Sequence, residues 1–223
     1  MAFYHLIFDL FYFGTGTLLY TENIFILINY GSLPIAGCFI FLAGVNAYHG
    51  HSREKIDTKK MHRLLRLLGA AFLVSLGTNL FFSDGWVRFG ILHFIFTATL
   101  LNQTIFHKMP RQALTGLSLC IALIHFVLMS LDYEPSGFLA HVIVMYGDIY
   151  ALDHVPLVPW LSIYLVGKIS REYIFSLTRP KTNDFAITLE KWIGALGKHS
   201  LLFYLIHQPL ILSFLWLLGA IVL

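Results

Sequence analysis

Residues 23–50 read NIFILINYGSLPIAGCFIFLAGVNAYHG, and none of them is Lys, Arg, Asp or Glu. About 20 apolar helical residues cross a hydrocarbon core some 30 Å thick. This stretch is long enough to do so, and Pro34 and Gly37 are expected to bend it. Working outward, apolar runs near 1–20, 24–49, 64–82, 88–106, 112–131, 154–168 and 199–221 read as seven spans. The sixth is short and opens on Pro156 and Pro159. The runs lack the two-residue alternation of a transmembrane β-barrel. The expectation is an all-α integral membrane protein, a bundle of about seven transmembrane helices forming a single polytopic domain over 1–223.

Composition agrees. The chain is 57% hydrophobic and 12% charged, with a mean hydropathy of +0.73, where a soluble domain carries about 25% charged residues. That excludes a water-soluble globule, and 20 Phe with 11 Tyr exclude a disordered chain. Cys38 and Cys120 both lie inside apolar runs and form neither a disulfide framework nor a metal cluster. No basic face emerges that could track a nucleic acid, so none is expected as a partner.

Charge placement sets direction. All but one of the fifteen Lys and Arg residues fall in three segments, 50–66, 107–111 and 168–198; the exception is Arg88. With seven spans these segments share one side, and the positive-inside rule makes that side cytoplasmic. The protein is then expected in the cell inner membrane as a multi-pass chain, N-terminus cytoplasmic and C-terminus extracytoplasmic. The opposite loop, 132–153, holds Asp132, Glu134, Asp148 and Asp153 and no Lys or Arg. The start has no basic n-region and no small-residue cleavage site, so it is not read as a cleavable signal peptide. Leu189, Trp192, Ile193 and Leu196 follow helical spacing, which predicts an interfacial helix at 185–197. The apolar segment 138–152 reads as re-entrant or lid-like.

Ionisable groups inside spans are costly and point to function. Asp9 lies four residues after His5, on the same helical face. A carboxylate orienting a neutral imidazole makes a general base; the plainer alternative is a hydrogen-bonded pair joining helices. His93 stands early in the fourth span. Arg88, at its outer boundary, could hold a carboxylate, phosphate or sugar hydroxyl, or pair with Asp84 or Asp153. In the last span His199 and Ser200 mark the cytoplasmic helix start, where free amides beside Lys198 suit an anion. His207 lies about 12 Å deeper, at 1.5 Å per residue, and Pro209 frees a carbonyl near Leu205. A cluster of His207, Gln208 and that carbonyl needs an internal partner. Asn46 and Asn79 read as interhelical contacts and His125 as structural. His93 and His207 could conceivably ligate haem, although no spacing demands it. No His-Glu-x-x-His motif is present, and no metal is expected.

These residues resemble a known family. Phe89-Gly90-Ile91-Leu92-His93, Pro156-Leu157-Val158-Pro159-Trp160 with Gly167, and Gly197-Lys198-His199-Ser200-Leu201-Leu202 through His207-Gln208-Pro209 are similar to bacterial relatives of the heparan-α-glucosaminide N-acetyltransferase catalytic domain. So are Phe3-Tyr4-His5 with Phe8-Asp9-Leu10, Tyr12-Phe13-Gly14, and Phe39-Ile40-Phe41-Leu42-Ala43-Gly44. There is one departure. Relatives carry an Asp-x-x-Arg-Gly-type stretch about a dozen residues before the histidine matching His5, and this sequence opens at Met1 without it. The resemblance implies a bundle with a central cavity, and acyl transfer from cytoplasmic acetyl-CoA to a sugar or glycan across the membrane.

On that reading His5, oriented by Asp9, is the base. His207 with Gln208, or His93, donates to the oxyanion. Arg63, Arg66, Lys198, His199 and Ser200 hold the coenzyme phosphates. Arg88, Asp153 and Trp160 face the acceptor. The partners expected are the lipid bilayer, acyl-CoA and the sugar or glycan acceptor, with a homo-oligomer compatible. Two other readings stay open: a small-solute or proton-coupled transporter built on the same histidines, and a degenerate, non-catalytic subunit.

Overall fold

The computed structural model describes residues 1–14, 22–47, 58–82, 85–131, 137, 142–144, 153–177, 191, 194, 197 and 199–221. Seven helices longer than one or two turns run through them: α1 Ala2–Phe13, α2 Glu22–Val45, α3 Thr58–Phe81, α4 Ile91–Thr104, α5 Arg111–Ser130, α6 Leu157–Leu177 and α7 Ser200–Leu217. A 3₁₀ turn, Phe106–Lys108, follows α4. Among the described residues no named β-strand occurs, only two isolated bridges. Among the described residues four stretches are long and apolar enough to cross a membrane: Ile26–Val45, Lys60–Phe81, Arg111–Ser130 and Ser200–Leu217. Their apolar side chains point outward: Phe72, Leu80 and Phe81 on α3, Leu119, Leu123 and Phe126 on α5, Leu210 and Phe214 on α7. In water such continuous apolar surface would be unstable, and in lipid it is the expected exterior. The protein is an all-α integral membrane protein.

Element boundaries differ from expectation: α1 ends at Phe13 rather than near 20, and α4 covers Ile91–Thr104 rather than 88–106. α3 begins at Thr58, so Arg63 and Arg66 ride on the helix rather than in the loop before it. Long basic side chains at a helix end can hold their charges at the interface. α6 runs on to Leu177, past the expected end at 168. Of the expected interfacial helix 185–197 only Lys191, Gly194 and Gly197 are described, each helical; the rest of it, and nearly all of the expected lid 138–152, lie outside the described residues.

The chain divides into two compact units. The first comprises Met1–Ala36 and Thr178–Leu223, the second Gly37–Leu177. In the first, α1 packs on α7, and the Tyr4 hydroxyl donates to the Ile28 carbonyl of α2 at 2.8 Å. Pro209 sits inside α7 and Pro34 inside α2, tolerated in spans where neighbours re-satisfy freed backbone groups.

In the second unit α5 packs on α6 and α3 on α4. Ser118 Oγ donates to the Ser162 carbonyl (3.1 Å), joining α5 to α6. α2 and α6 meet backbone to backbone, because Gly44 lies against the Tyr164 carbonyl and Gly167 against the Phe41 carbonyl. At the C-terminal end of α2, Arg171 donates to the Val45 carbonyl (2.7 Å) and Asn102 to the Ala47 carbonyl (2.7 Å), while Lys168 donates to Asn102 Oδ1 (2.6 Å). α2 has no basic residue in its own last turn, so cations from α6 meet the negative end of its dipole.

The other end of this unit is tied by its loops. Ile91 N–H donates to Asp153 Oδ2 (2.8 Å) and Val155 N–H to the Phe89 carbonyl (2.9 Å). Asp153 thus caps α4 from sixty-two residues away. Burial pushes its carboxyl up, against the downward pull of the Ile91 amide. Replacing Asp153 with Ala is expected to cost about 1–2 kcal/mol in a denaturant titration of the detergent-solubilised protein. An unchanged midpoint would contradict that capping role.

Candidate active site

α1 and α7 bring His5, Asp9, His207 and Gln208 together. The i, i+4 spacing puts His5 and Asp9 on one face of α1, and the neighbours His207 and Gln208 meet that face from α7. The His5 and His207 rings lie edge to face with centroids 5.2 Å apart. Phe203 stacks on His207 nearly parallel at 5.7 Å. Asp9 is fully buried, at 0% exposure, so its carboxylate needs a partner. That partner is Gln208, whose Nε2 lies 2.9 Å from Oδ1 and 3.0 Å from Oδ2. The expected Asp9–His5 bond is absent among the described residues. Asp9 holds an amide on the opposite helix instead.

His207 has a defined tautomer. Its Nδ1 lies 2.7 Å from the Tyr204 carbonyl and 3.2 Å from the Phe203 carbonyl. Carbonyls only accept, so Nδ1 carries the hydrogen and Nε2 of the neutral ring carries a bare lone pair. That Nε2 is buried without a partner, and so is Gln208 Oε1. Two consequences revise the expected roles. His207 presents no N–H to an oxyanion, and the Gln208 amide N–H is committed to Asp9. The vacant atoms of this cluster, His207 Nε2 and Gln208 Oε1, are both acceptors.

His93 lies in the other unit and is fully engaged. Gly90 N–H donates to its Nδ1 (3.3 Å), which leaves the hydrogen on Nε2. Nε2 faces Ser75 Oγ at 3.2 Å, and Ser75 donates onward to the Val87 carbonyl at 2.6 Å. The chain runs from His93 to Ser75, so Ser75 is not activated as a nucleophile. With Val87 N–H donating to Thr78 Oγ1 (3.0 Å), it pins the segment between α3 and α4. Arg88 stands exposed on that segment, its guanidinium 5.5 Å from the Trp86 ring. Asp153, expected beside the acceptor, is occupied as the α4 cap.

Trp160 is 5% exposed and Tyr164, one helical turn on, 1%. Neither Trp160 Nε1 nor the Tyr164 hydroxyl has a partner. These are two vacant polar hydrogens on one face of α6. Arg63 is within electrostatic reach of the Tyr164 hydroxyl, and Arg66 donates weakly to the His62 carbonyl (3.4 Å). Both arginines are exposed. His199 is the residue before α7, Ser200 is its first residue, and both are exposed; Lys198 lies outside the described residues.

Sequence reasoning missed Tyr164, Asn102 and Lys168. Asn102 and Lys168 were detectable as polar groups near the ends of apolar runs. Nothing in the sequence marks the Tyr164 hydroxyl, because tyrosine in a span reads as core or interface.

The fold and this cluster define an integral-membrane protein with buried polar side chains gathered where two of its helices, α1 and α7, pack together. Residues 1–209 match the family described as heparan-alpha-glucosaminide N-acetyltransferase, catalytic. The chain belongs to that family, which is one of membrane acetyltransferases. No curated protein and no solved structure matches it.

Proposed function

We propose that the protein transfers an acetyl group from acetyl-CoA, taken from the cytoplasmic side of the inner membrane, to a sugar or glycan on the other side. The observation that carries this reading is the buried, unpartnered Nε2 of His207, on a ring that lies against His5 of α1. As the acceptor nitrogen or oxygen bonds to the thioester carbon, His207 Nε2 takes its proton. The carbon–sulfur bond then breaks, and the proton passes to the departing thiolate, giving acetylated acceptor and coenzyme A thiol. A positioned base of this kind contributes about 10²–10⁴-fold. His5, edge-on to the His207 ring, steadies it and offers the proton a second resting place.

Placement of charge supports the sidedness. The C-terminal ends of α2 and α4 gather with Lys168 and Arg171 at one end of the second unit. These are the chain segments that the basic residues assign to the cytoplasm. Arg63 and Arg66 on α3 suit the phosphates of the coenzyme, and so, taken by itself, does the amide-bearing start of α7 at His199 and Ser200. The vacant hydrogens of Trp160 and Tyr164 suit neutral acceptors such as the amide carbonyls of a pantetheine arm. Arg88 on its pinned segment is left to meet an acceptor from outside.

The test is coenzyme A thiol release by the purified protein in lipid nanodiscs, given acetyl-CoA with and without a sugar acceptor. Acceptor-dependent release with matching acetylated sugar is expected. Uptake of an amino sugar into proteoliposomes with no acetylation would replace this reading with a transporter.

A further inference from the structure

The segment between α3 and α4 is held by a hydrogen-bond relay whose direction is fixed from both ends. Carbonyls only accept, so the Ser75 hydroxyl gives its hydrogen to the Val87 carbonyl (2.6 Å) and receives one from His93 Nε2 (3.2 Å). At the other end Gly90 N–H donates to His93 Nδ1 (3.3 Å), which therefore carries a lone pair. Both ends demand the same ring, neutral and with its hydrogen on Nε2. Thr78 commits its own hydrogen to the Val74 carbonyl (2.8 Å) and so accepts from Val87 N–H (3.0 Å). Val87, 3% exposed, is gripped at both of its backbone groups, and Arg88 follows it exposed. The bond from Gly90 is the vulnerable link. Gly90 is the N-cap of α4 and His93 its third residue, where a glutamine side chain accepts from the cap's N–H at any pH. An imidazole does so only while neutral. A second proton would fall on Nδ1 and face Gly90 N–H donor to donor. It would also put a cation in the first turn of a helix, where the dipole opposes it.

We propose that His93 is an acid-operated latch: while neutral it closes the relay and holds the segment carrying Trp86 and Arg88 against α3, and on taking a second proton it lets go of Gly90 and loosens that segment. The charged and titratable groups around it can be named. Segment 153–155 brings His154 and Asp153, whose carboxylate accepts from Ile91 N–H (2.8 Å) and lies against Gly90. The held segment brings Arg88, drawn over Trp86 (5.5 Å); Asp84 lies outside the described residues. α3 presents the Ser75 and Thr78 hydroxyls, and its nearest basic residue, Arg66, stands about 13 Å further along the axis. α6 meets this turn of α4 through Tyr164, edge-on to Phe94. Among the described residues Asp153 alone favours a charged ring, and it is already engaged by the Ile91 amide. The proposal does not rest on the acetyl-transfer reading. On the orientation that the basic loops suggest, the latch reads the pH outside the cell.

The experiment is amide hydrogen exchange, read by mass spectrometry on the full chain in nanodiscs from about pH 8 to about pH 4.5, which spans the ordinary titration of histidine. Rates are corrected for the intrinsic effect of pH. The wild type is expected to lose protection about tenfold at amides 85–91 in acid, the equivalent of one hydrogen bond. It should regain that protection on return to neutral pH, with the amides of α5 unmoved. His93→Gln, whose amide oxygen accepts from Gly90 at every pH, should stay protected throughout, and His93→Ala should be open throughout. Asp153→Asn, which keeps an oxygen for Ile91 N–H, should respond as the wild type does. Wild-type protection that survives acid overturns the proposal. So does a His93→Gln protein that loosens in acid as the wild type does, or an Asp153→Asn protein that no longer loosens, because another group is then the sensor. Should a variant fail to fold, the ¹⁵N signals of His93 in the labelled wild type decide. The ring should take its second proton over the pH interval in which protection is lost. A doubly protonated ring with the segment still protected, or a loosened segment with the ring still neutral, overturns the proposal.

Discussion

Replacing His207 with Ala is expected to lower kcat/KM for acetyl transfer about a hundredfold or more, the usual contribution of a positioned base, while the protein remains folded. The fold should tolerate the change because the ring's one donated hydrogen goes to its own helix, to the Phe203 and Tyr204 carbonyls. No bond to α1 is lost, and Asp9 keeps its grip on Gln208. His5→Ala should do less, about tenfold, since His5 meets His207 through a ring edge rather than a hydrogen bond. The check is steady-state kinetics with melting temperatures for both variants. A His207→Ala protein that transfers at more than a tenth of the wild-type rate, or a His5→Ala protein that is the more damaged, would reverse the assignment.

Gly167→Val and Gly44→Leu are expected to be the most destabilising single changes in the second unit. A Cβ at position 44 would fall on the Tyr164 carbonyl, and one at 167 on the Phe41 carbonyl and close to the Val45 amide. The obstacle in each case is main chain, which cannot swing aside as a side chain does. The only relief is to part α2 from α6. Small residues exist at membrane helix crossings to allow this approach. Overpacking in a filled core costs about 1–3 kcal/mol and occasionally more; with backbone as the obstacle the upper end is expected for each variant. Separation of the helices would also pull Arg171 and Asn102 away from the Val45 and Ala47 carbonyls. Denaturant titration in mixed micelles reads the effect. As a contrast, Gly116→Ala on α5 meets nothing within 4 Å and should leave stability unchanged. A Gly167→Val protein with the wild-type midpoint would contradict the crossing.

The helices were largely legible because the bilayer imposes a length and a composition that a sequence displays directly. Residues 23–50 carry no charge, and α2 occupies most of them. α3 was misjudged at its start because hydropathy sees only the apolar part of a helix; Thr58–Leu64 continues it with side chains whose charges reach the interface. The site was half legible. His5, Asp9, His207 and Gln208 stand out as polar groups in apolar runs, and all four do meet. Their pairing did not follow from spacing. The i, i+4 rule ranks neighbours on one helix and is silent about a partner on another, and here the interhelical Asp9–Gln208 contact replaces the local one. Which nitrogen of His207 is bare depends on which carbonyls lie beside the ring, and no sequence pattern carries that. His93 shows the converse: it reads as a free polar group, yet the Gly90 amide three residues before it and Ser75 across the helix pair occupy both of its nitrogens.

The account rests on His207 donating through Nδ1 and leaving Nε2 as the free acceptor, and ¹⁵N solid-state NMR of the histidine-labelled protein in lipid reads this without any assay of turnover. Comparison with His207→Gln assigns the signal. The hydrogen is expected on Nδ1, with Nε2 bare and perturbed when an amine acceptor is added. A ring that carries its hydrogen on Nε2, or an Nε2 signal indifferent to every acceptor while transfer proceeds, would contradict it.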